Sequence, residues 1–188
     1  MSIRKNLLYG LGLLALVPAV LAADVLPWRE KYMAFTGKGT PEIVAAHGQA
    51  ARHAGVEWRL DGITEGSLEN PGIRPLPPRT KIAIMLISAR PLTEAASKWF
   101  GAETGTCKFF AADAAGRIWD RAVRSDLVEP SGHSVTCRAF DEDYKMIPLP
   151  IGRKLTIQIP YIVPADAFES LGAEIRLSPD PVTIRLKR

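Results

Sequence analysis

Cysteine and histidine are nearly absent: Cys107 and Cys137 are the whole cysteine set, beside three scattered histidines, His47, His53 and His133. Such a set does not make a four-ligand zinc site. C-x-x-C is missing as well, which argues against a redox-active dithiol. None of G-x-S-x-G, H-E-x-x-H, G-x-x-x-x-G-K-[ST] or G-x-G-x-x-G occurs, so no motif points to a nucleophile elbow, a zinc protease, a P-loop or a dinucleotide fold. Charge of one sign is not in excess either. The formal charge is +4, and Arg4 and Lys5 supply two of those charges, leaving about +2 for the rest. That balance gives no reason to expect a nucleic-acid partner. No internal repeat is visible, and no linker divides the chain after its first segment.

Long apolar runs are absent except at the N-terminus, in "RKNLLYGLGLLALVPAVLAADVLPWREKY". Arg4 and Lys5 precede an uncharged run, the order that directs export with the N-terminus left inside. Leu7 to Ala23 spans ~25 Å as a helix, the lower edge of what crosses a bilayer and longer than most signal cores. Trp28 and Tyr32 suit an interfacial aromatic belt, with Arg29 and Lys31 among headgroups. The run predicts a retained signal-anchor: residues 1–33 form a transmembrane helix and juxtamembrane segment, and residues 34–188 form one extracytoplasmic domain. The alternative is a secreted protein, since Val20 and Ala22 allow cleavage after Ala22. Both readings place the larger part in an oxidising compartment, where an isolated cysteine pair is most simply a disulfide.

Beyond Thr36 the dominant period is two. "GVEWRLDGI", "KLTIQIPYIV" and "PVTIRLKR" each alternate apolar and polar residues, the pattern of half-buried strands. Pro160 has no N–H to give, so its strand belongs at an edge or at a bulge. "TKIAIMLISA" is apolar on both faces and reads as a central strand covered on both sides. "CKFFAADAAGRIWDRAV" reads as a hairpin turning at "DAAG", with Gly116 supplying a positive φ. "AEIRLS" adds a further strand. "PLTEAASKWFG" reads as a short helix capped by Thr93. "GTPEIVAAHGQAARHAG" fits either a helix or a hairpin turning at His47-Gly48. "ENPGIRPLPPRT" is a proline-rich connector. This pattern predicts an all-β, antiparallel sandwich.

Local constellations are weak. "SGHS" groups Ser131, His133 and Ser134 near Asp126 and Glu129 without an orienting shell, and "DEDYK" pairs Asp141 with Asp143 without enough ligands for calcium. No catalytic residue, metal or cofactor is expected. The C-terminal "RLKR" reads as a solvated strand end. Trp99 and Phe100, at the end of the inserted helix, are the candidate partner-binding residues, because aromatics concentrate in interface hot spots. The competing reading lays Trp99 over an open end of the sandwich.

The order of motifs resembles a family. "WREKY" after the N-terminal span, "GVEWRL", a proline-rich "LPP-R-T", the central apolar strand, "C-x-F-x-A-x-D-x-A-G-R-x-W", a second cysteine, "IVPADAF" and a last "VTIRL" are similar to small membrane-anchored or exported proteins of high-GC bacteria. Their outer part is a telokin-like immunoglobulin sandwich. The resemblance implies an Ig-like extracytoplasmic domain without assigned activity, with no catalytic residues to carry over. The reading of the whole chain is a non-enzymatic domain that binds or scaffolds other envelope proteins. Cys137 follows Trp119 too closely for the usual inter-sheet cysteine, so the disulfide is expected to pin the hairpin to its following loop. A secreted small-ligand carrier or enzyme is the alternative.

Overall fold

The computed structural model describes residues 41–69, 72, 74–102, 106–124, 126–127, 133–178 and 182–188. The segment carrying Arg4, Lys5, Leu7 to Ala23, Trp28 and Tyr32 lies outside them. Nine strands, one α-helix and one 3₁₀ turn make up the regular elements among the described residues. In chain order they are β1 (Glu42–Ala45), β2 (Ala50–His53), β3 (Val56–Glu65), β4 (Thr80–Pro91), α1 (Glu94–Trp99), β5 (Thr106–Ala112), β6 (Ile118–Trp119), β7 (Leu155–Pro164), the 3₁₀ turn at Phe168–Ser170, β8 (Gly172–Ser178) and β9 (Thr183–Leu186). They form two sheets, ordered β1-β9-β8-β5-β6 and β2-β3-β4-β7. The fold is an all-β sandwich.

Alternation decides which side chains face the core. In β3, Val56 and Trp58 point inward and are buried while Glu57 and Arg59 point outward. In β8 and β9, Ile175, Ile184 and Leu186 meet them from the other sheet, and one apolar cluster contains all of these residues. As its run of apolar residues predicts, β4 is covered on both faces. Ala83, Met85, Ile87 and Ala89 join the inter-sheet core. Ile82 and Ile84 pack outside, under Leu127 with Leu68, Leu76 and Ala122 alongside. The proline-rich connector therefore helps build this second, smaller core.

Pro160 sits on the edge strand β7, opposite Ile84. Its carbonyl accepts from the Ala122 N–H at 2.8 Å, on the side away from β4. The missing N–H would lie on that same outer side, so the ladder to β4 loses nothing. The remaining outer edge is also paired. Ser134 N–H donates to the Thr156 carbonyl at 3.1 Å, and Gln158 N–H donates to the Ser134 carbonyl at 2.8 Å. An otherwise long exposed edge is thus blunted.

Three expectations change. The chain does turn at His47-Gly48, with Gly48 at φ +72°, but β1 and β2 enter different sheets, so the turn is a corner and neither a hairpin nor a helix. Among the described strands pairing is antiparallel except between β1 and β9, which run parallel, and the isolated bridge from Ser134 to Ile157 is parallel too. The hairpin at Asp113–Gly116 forms, yet its second strand keeps only Ile118–Trp119. By Ala122 the chain has crossed to β7 of the other sheet.

That crossing alters what the disulfide does. Cys107 and Cys137 are bonded, with Cα atoms 6.1 Å apart. Cys107 belongs to β5, and Cys137 lies three residues past Ser134, which is hydrogen-bonded to β7. The loop expected to be pinned to its own hairpin is docked on the opposite sheet. The cystine therefore ties the two sheets together along one side of the sandwich.

Candidate functional site

Helix α1 closes one end of the sandwich. Thr93 caps it, its Oγ accepting from the Ala96 N–H at 3.3 Å, with Glu94 in the first turn and Lys98 in the last. Leu92 N–H donates to the Gly55 carbonyl at 2.7 Å, which fixes the helix entry to the β2–β3 turn. Gly55 has φ +76°, and a Cβ there would lie 2.4 Å from Thr93 Oγ. The turn needs glycine both for its backbone and for this approach.

The two aromatics at the end of α1 have different fates. Phe100 is fully buried, 0 % exposed, with its ring 6.4 Å from Trp58 and 5.2 Å from Trp99 between centroids. Its carbonyl accepts from the Ala139 N–H at 3.1 Å, so the chain turns inward at this residue. Phe100 is a core side chain and does not present itself to a partner. Trp99 is half-buried and meets Trp58 edge-on at 6.4 Å. It lies over the end of the core and, with His53, Val56, Trp58, Ala95 and Leu177, lines an apolar recess of about 260 Å³. The Trp58 indole Nε1 is buried and has no hydrogen-bond partner among the described residues.

A second, polar recess of about 670 Å³ forms around the bulge in β3. The register slips between Leu60 and Gly62, leaving Asp61 as the extra residue. Arg59 Nε donates to the Asp61 carboxylate at 2.8 Å, Ser88 Oγ at 3.1 Å and Lys154 Nζ at 2.5 Å. Burial pushes the Asp61 carboxyl up, but these donors outweigh it and hold the group below its ordinary range. His47, Lys187 and Arg188 complete the rim. Arg188 also donates to the Phe168 carbonyl at 3.1 Å and stands 3.7 Å from the exposed Glu169. This grouping was hidden in the sequence, because its members come from five separate stretches. The only local signal was the C-terminal "RLKR".

The remaining polar motifs are local. Ser134 Oγ donates to the Thr136 carbonyl at 2.8 Å and accepts from its N–H at 3.2 Å. Ser131 and Glu129 lie outside the described residues, and Asp126 is paired with Arg124 at 2.6 Å. Asp141 accepts from the N–H groups of Asp143 and Lys145 at 3.0 and 2.8 Å, which closes a turn in which Tyr144 has φ +59°. Among the described residues no three His, Cys, Asp or Glu side chains converge as metal ligands, and no helix is long and apolar enough to cross a membrane.

No protein-family model and no curated protein matches the chain. Solved structures do. A conserved hypothetical protein from Bacillus anthracis aligns over 76 % of this chain and 93 % of its own at 8 % identity, with a TM-score of 0.42. The yjhA protein from Bacillus subtilis aligns over 75 % and 98 % at 11 % identity, with a TM-score of 0.40. A β-sandwich protein from Clostridium difficile 630 aligns over 80 % and 96 % at 6 % identity, with a TM-score of 0.39.

Proposed function

We propose that this protein is a non-enzymatic binding or scaffolding domain, exposed outside the cell membrane and tethered to it by the apolar segment Leu7 to Ala23. The observation that carries the binding role is the recess beside Trp99. It is apolar, it opens at the end of the sandwich, and a tryptophan forms one wall. Its volume of about 260 Å³ falls below the ~300–1,000 Å³ typical of small-molecule sites. That size favours an apolar side chain of another envelope protein over a free ligand. The cystine supports the oxidising compartment.

The strand order supports an Ig-like reading of the sandwich. β5-β8-β9 corresponds to the C-F-G sheet, and β3-β4-β7 to A-B-E of the other. Departures are the short β6, the added β1 and β2 and a cystine that does not join the usual pair of strands.

The test is crosslinking of the intact protein in cells, with Trp99→Ala beside the wild type. The reading predicts one or more envelope partners whose yield falls at least several-fold in the variant. An unchanged set of partners would remove the recess from the account. N-terminal sequencing of the cell-associated protein separates tether from secretion: a chain beginning at Ala23 would end the tether.

A further inference from the structure

The polar recess around Asp61 is independent of the recess beside Trp99, and its chemistry is the opposite. Four cationic side chains line it, Arg59, Lys154, Lys187 and Arg188, against one carboxylate, Asp61. Asp61 engages two of them, taking the Nε–H of Arg59 and one ammonium proton of Lys154. Each keeps further N–H donors by its valence. Lys187 is exposed and makes no ion pair among the described residues. A concave wall lined by one sign of charge focuses the field into the space it encloses. Gly48 and Gly62 add backbone without side chains, and a Cβ at either would meet nothing within 4 Å.

We propose that this recess binds a phosphate-bearing ligand. Even with Arg188 beside Glu169 at 3.7 Å, Arg59, Lys154 and Lys187 outnumber Asp61, and a phosphate group offers several acceptor oxygens. Two guanidinium groups and two ammonium groups supply the forked and point-charge donors that phosphate recognition uses. The recess, at about 670 Å³, has room for a polar body beyond the phosphate itself. Asp61 acts as a positioning residue: it holds Arg59 and Lys154 at the floor while Lys187 and Arg188 close on the ligand from the rim. The phosphate belongs either to a soluble phosphorylated compound or to a lipid headgroup.

The test uses the full chain, ¹⁵N-labelled, in non-ionic detergent micelles, and follows the Gly48 and Gly62 amide signals. One arm titrates sodium pyrophosphate. The other dopes the micelles with phosphatidylglycerol or, as control, diacylglycerol, which lacks the phosphate. Saturable shifts of both glycines with pyrophosphate, weakened roughly tenfold in Lys187→Gln and within twofold of wild type in Lys98→Gln, establish the site with a soluble source. Shifts with phosphatidylglycerol alone, showing the same variant pattern, establish it with a lipid source. No shift from either probe overturns the proposal, as does equal weakening in both variants, which would mean net charge alone.

Discussion

Tyr161 is fully buried, and its hydroxyl has no hydrogen-bond partner among the described residues. Burial drives its ionisation far above the ordinary phenol range. An orphaned buried hydroxyl costs free energy that its ring repays through packing. Tyr161→Phe keeps the ring and removes the orphan, so it is expected to be neutral or stabilising by up to ~1–2 kcal/mol in denaturant unfolding. Asp113 behaves differently. Burial pushes its carboxyl up, but the Arg117 side chain at 2.7 Å and the Arg117 N–H at 2.8 Å outweigh that and lower it. Its folded pKa lies below the unfolded value of ~3.9. The stabilisation is therefore complete above that value and is lost as pH falls through the folded one. Melting temperature is expected to drop on acidification below about pH 4, and Asp113→Asn to flatten that drop. Asp61, lowered by Lys154, Arg59 and Ser88 against burial, shifts stability in the same direction.

At the level of elements, the joint between the β2–β3 turn and α1 governs the Trp99 recess. Thr93 serves it twice, as the cap of α1 and as the neighbour of Gly55. Thr93→Ala is expected to cost ~1 kcal/mol, the usual loss of a cap. Gly55→Ala is expected to cost more, because it adds positive-φ strain to a collision with Thr93. Chemical denaturation of both variants checks this order, and equal costs would mean that the approach does not constrain the joint. The helix was legible in the sequence because Thr93, Lys98 and Gly101 all carry local signals. So were β3, β4 and β9, whose period-two or continuous apolar patterns state most of their burial. Pro160 narrowed β7 to an edge or a bulge, of which it is the edge. β7 departs from its pattern, because Gln158 and Pro160 on the face expected to be wet are buried. The corner at His47-Gly48 was only half legible: glycine marks a turn, but nothing local says that β1 and β2 join different sheets. The bulge at Asp61 left a mark in the period rather than in the composition: Val56, Trp58 and Leu60 alternate, Ile63 falls out of step, and Gly62 stands between them. Phe100 was misread because residues that bury it, Trp58 among them, lie far away in the chain and leave no local signal.

For the molecule as a whole, the cystine is the element that most directly couples fold to compartment. It closes a separation of 30 residues, which the chain-entropy model values at ~3–4 kcal/mol. It also joins β5 to the segment docked on β7, so losing it loosens the two sheets at one side. The Cys107→Ser/Cys137→Ser variant is expected to lose about that amount in denaturant unfolding without changing its secondary structure by circular dichroism. The pairing itself could be read from two cysteines in a chain whose N-terminal segment reads as an export signal. Its role across the sheets could not, because that depends on where Ser134 docks. The central claim is that this sandwich works outside the membrane in oxidising surroundings. Its most direct test is to quench intact cells in acid, alkylate every free thiol, and map the recovered membrane fraction by mass without reductant. The account predicts one crosslinked species joining the Cys107 and Cys137 peptides. Two alkylated cysteines in the native protein would contradict it.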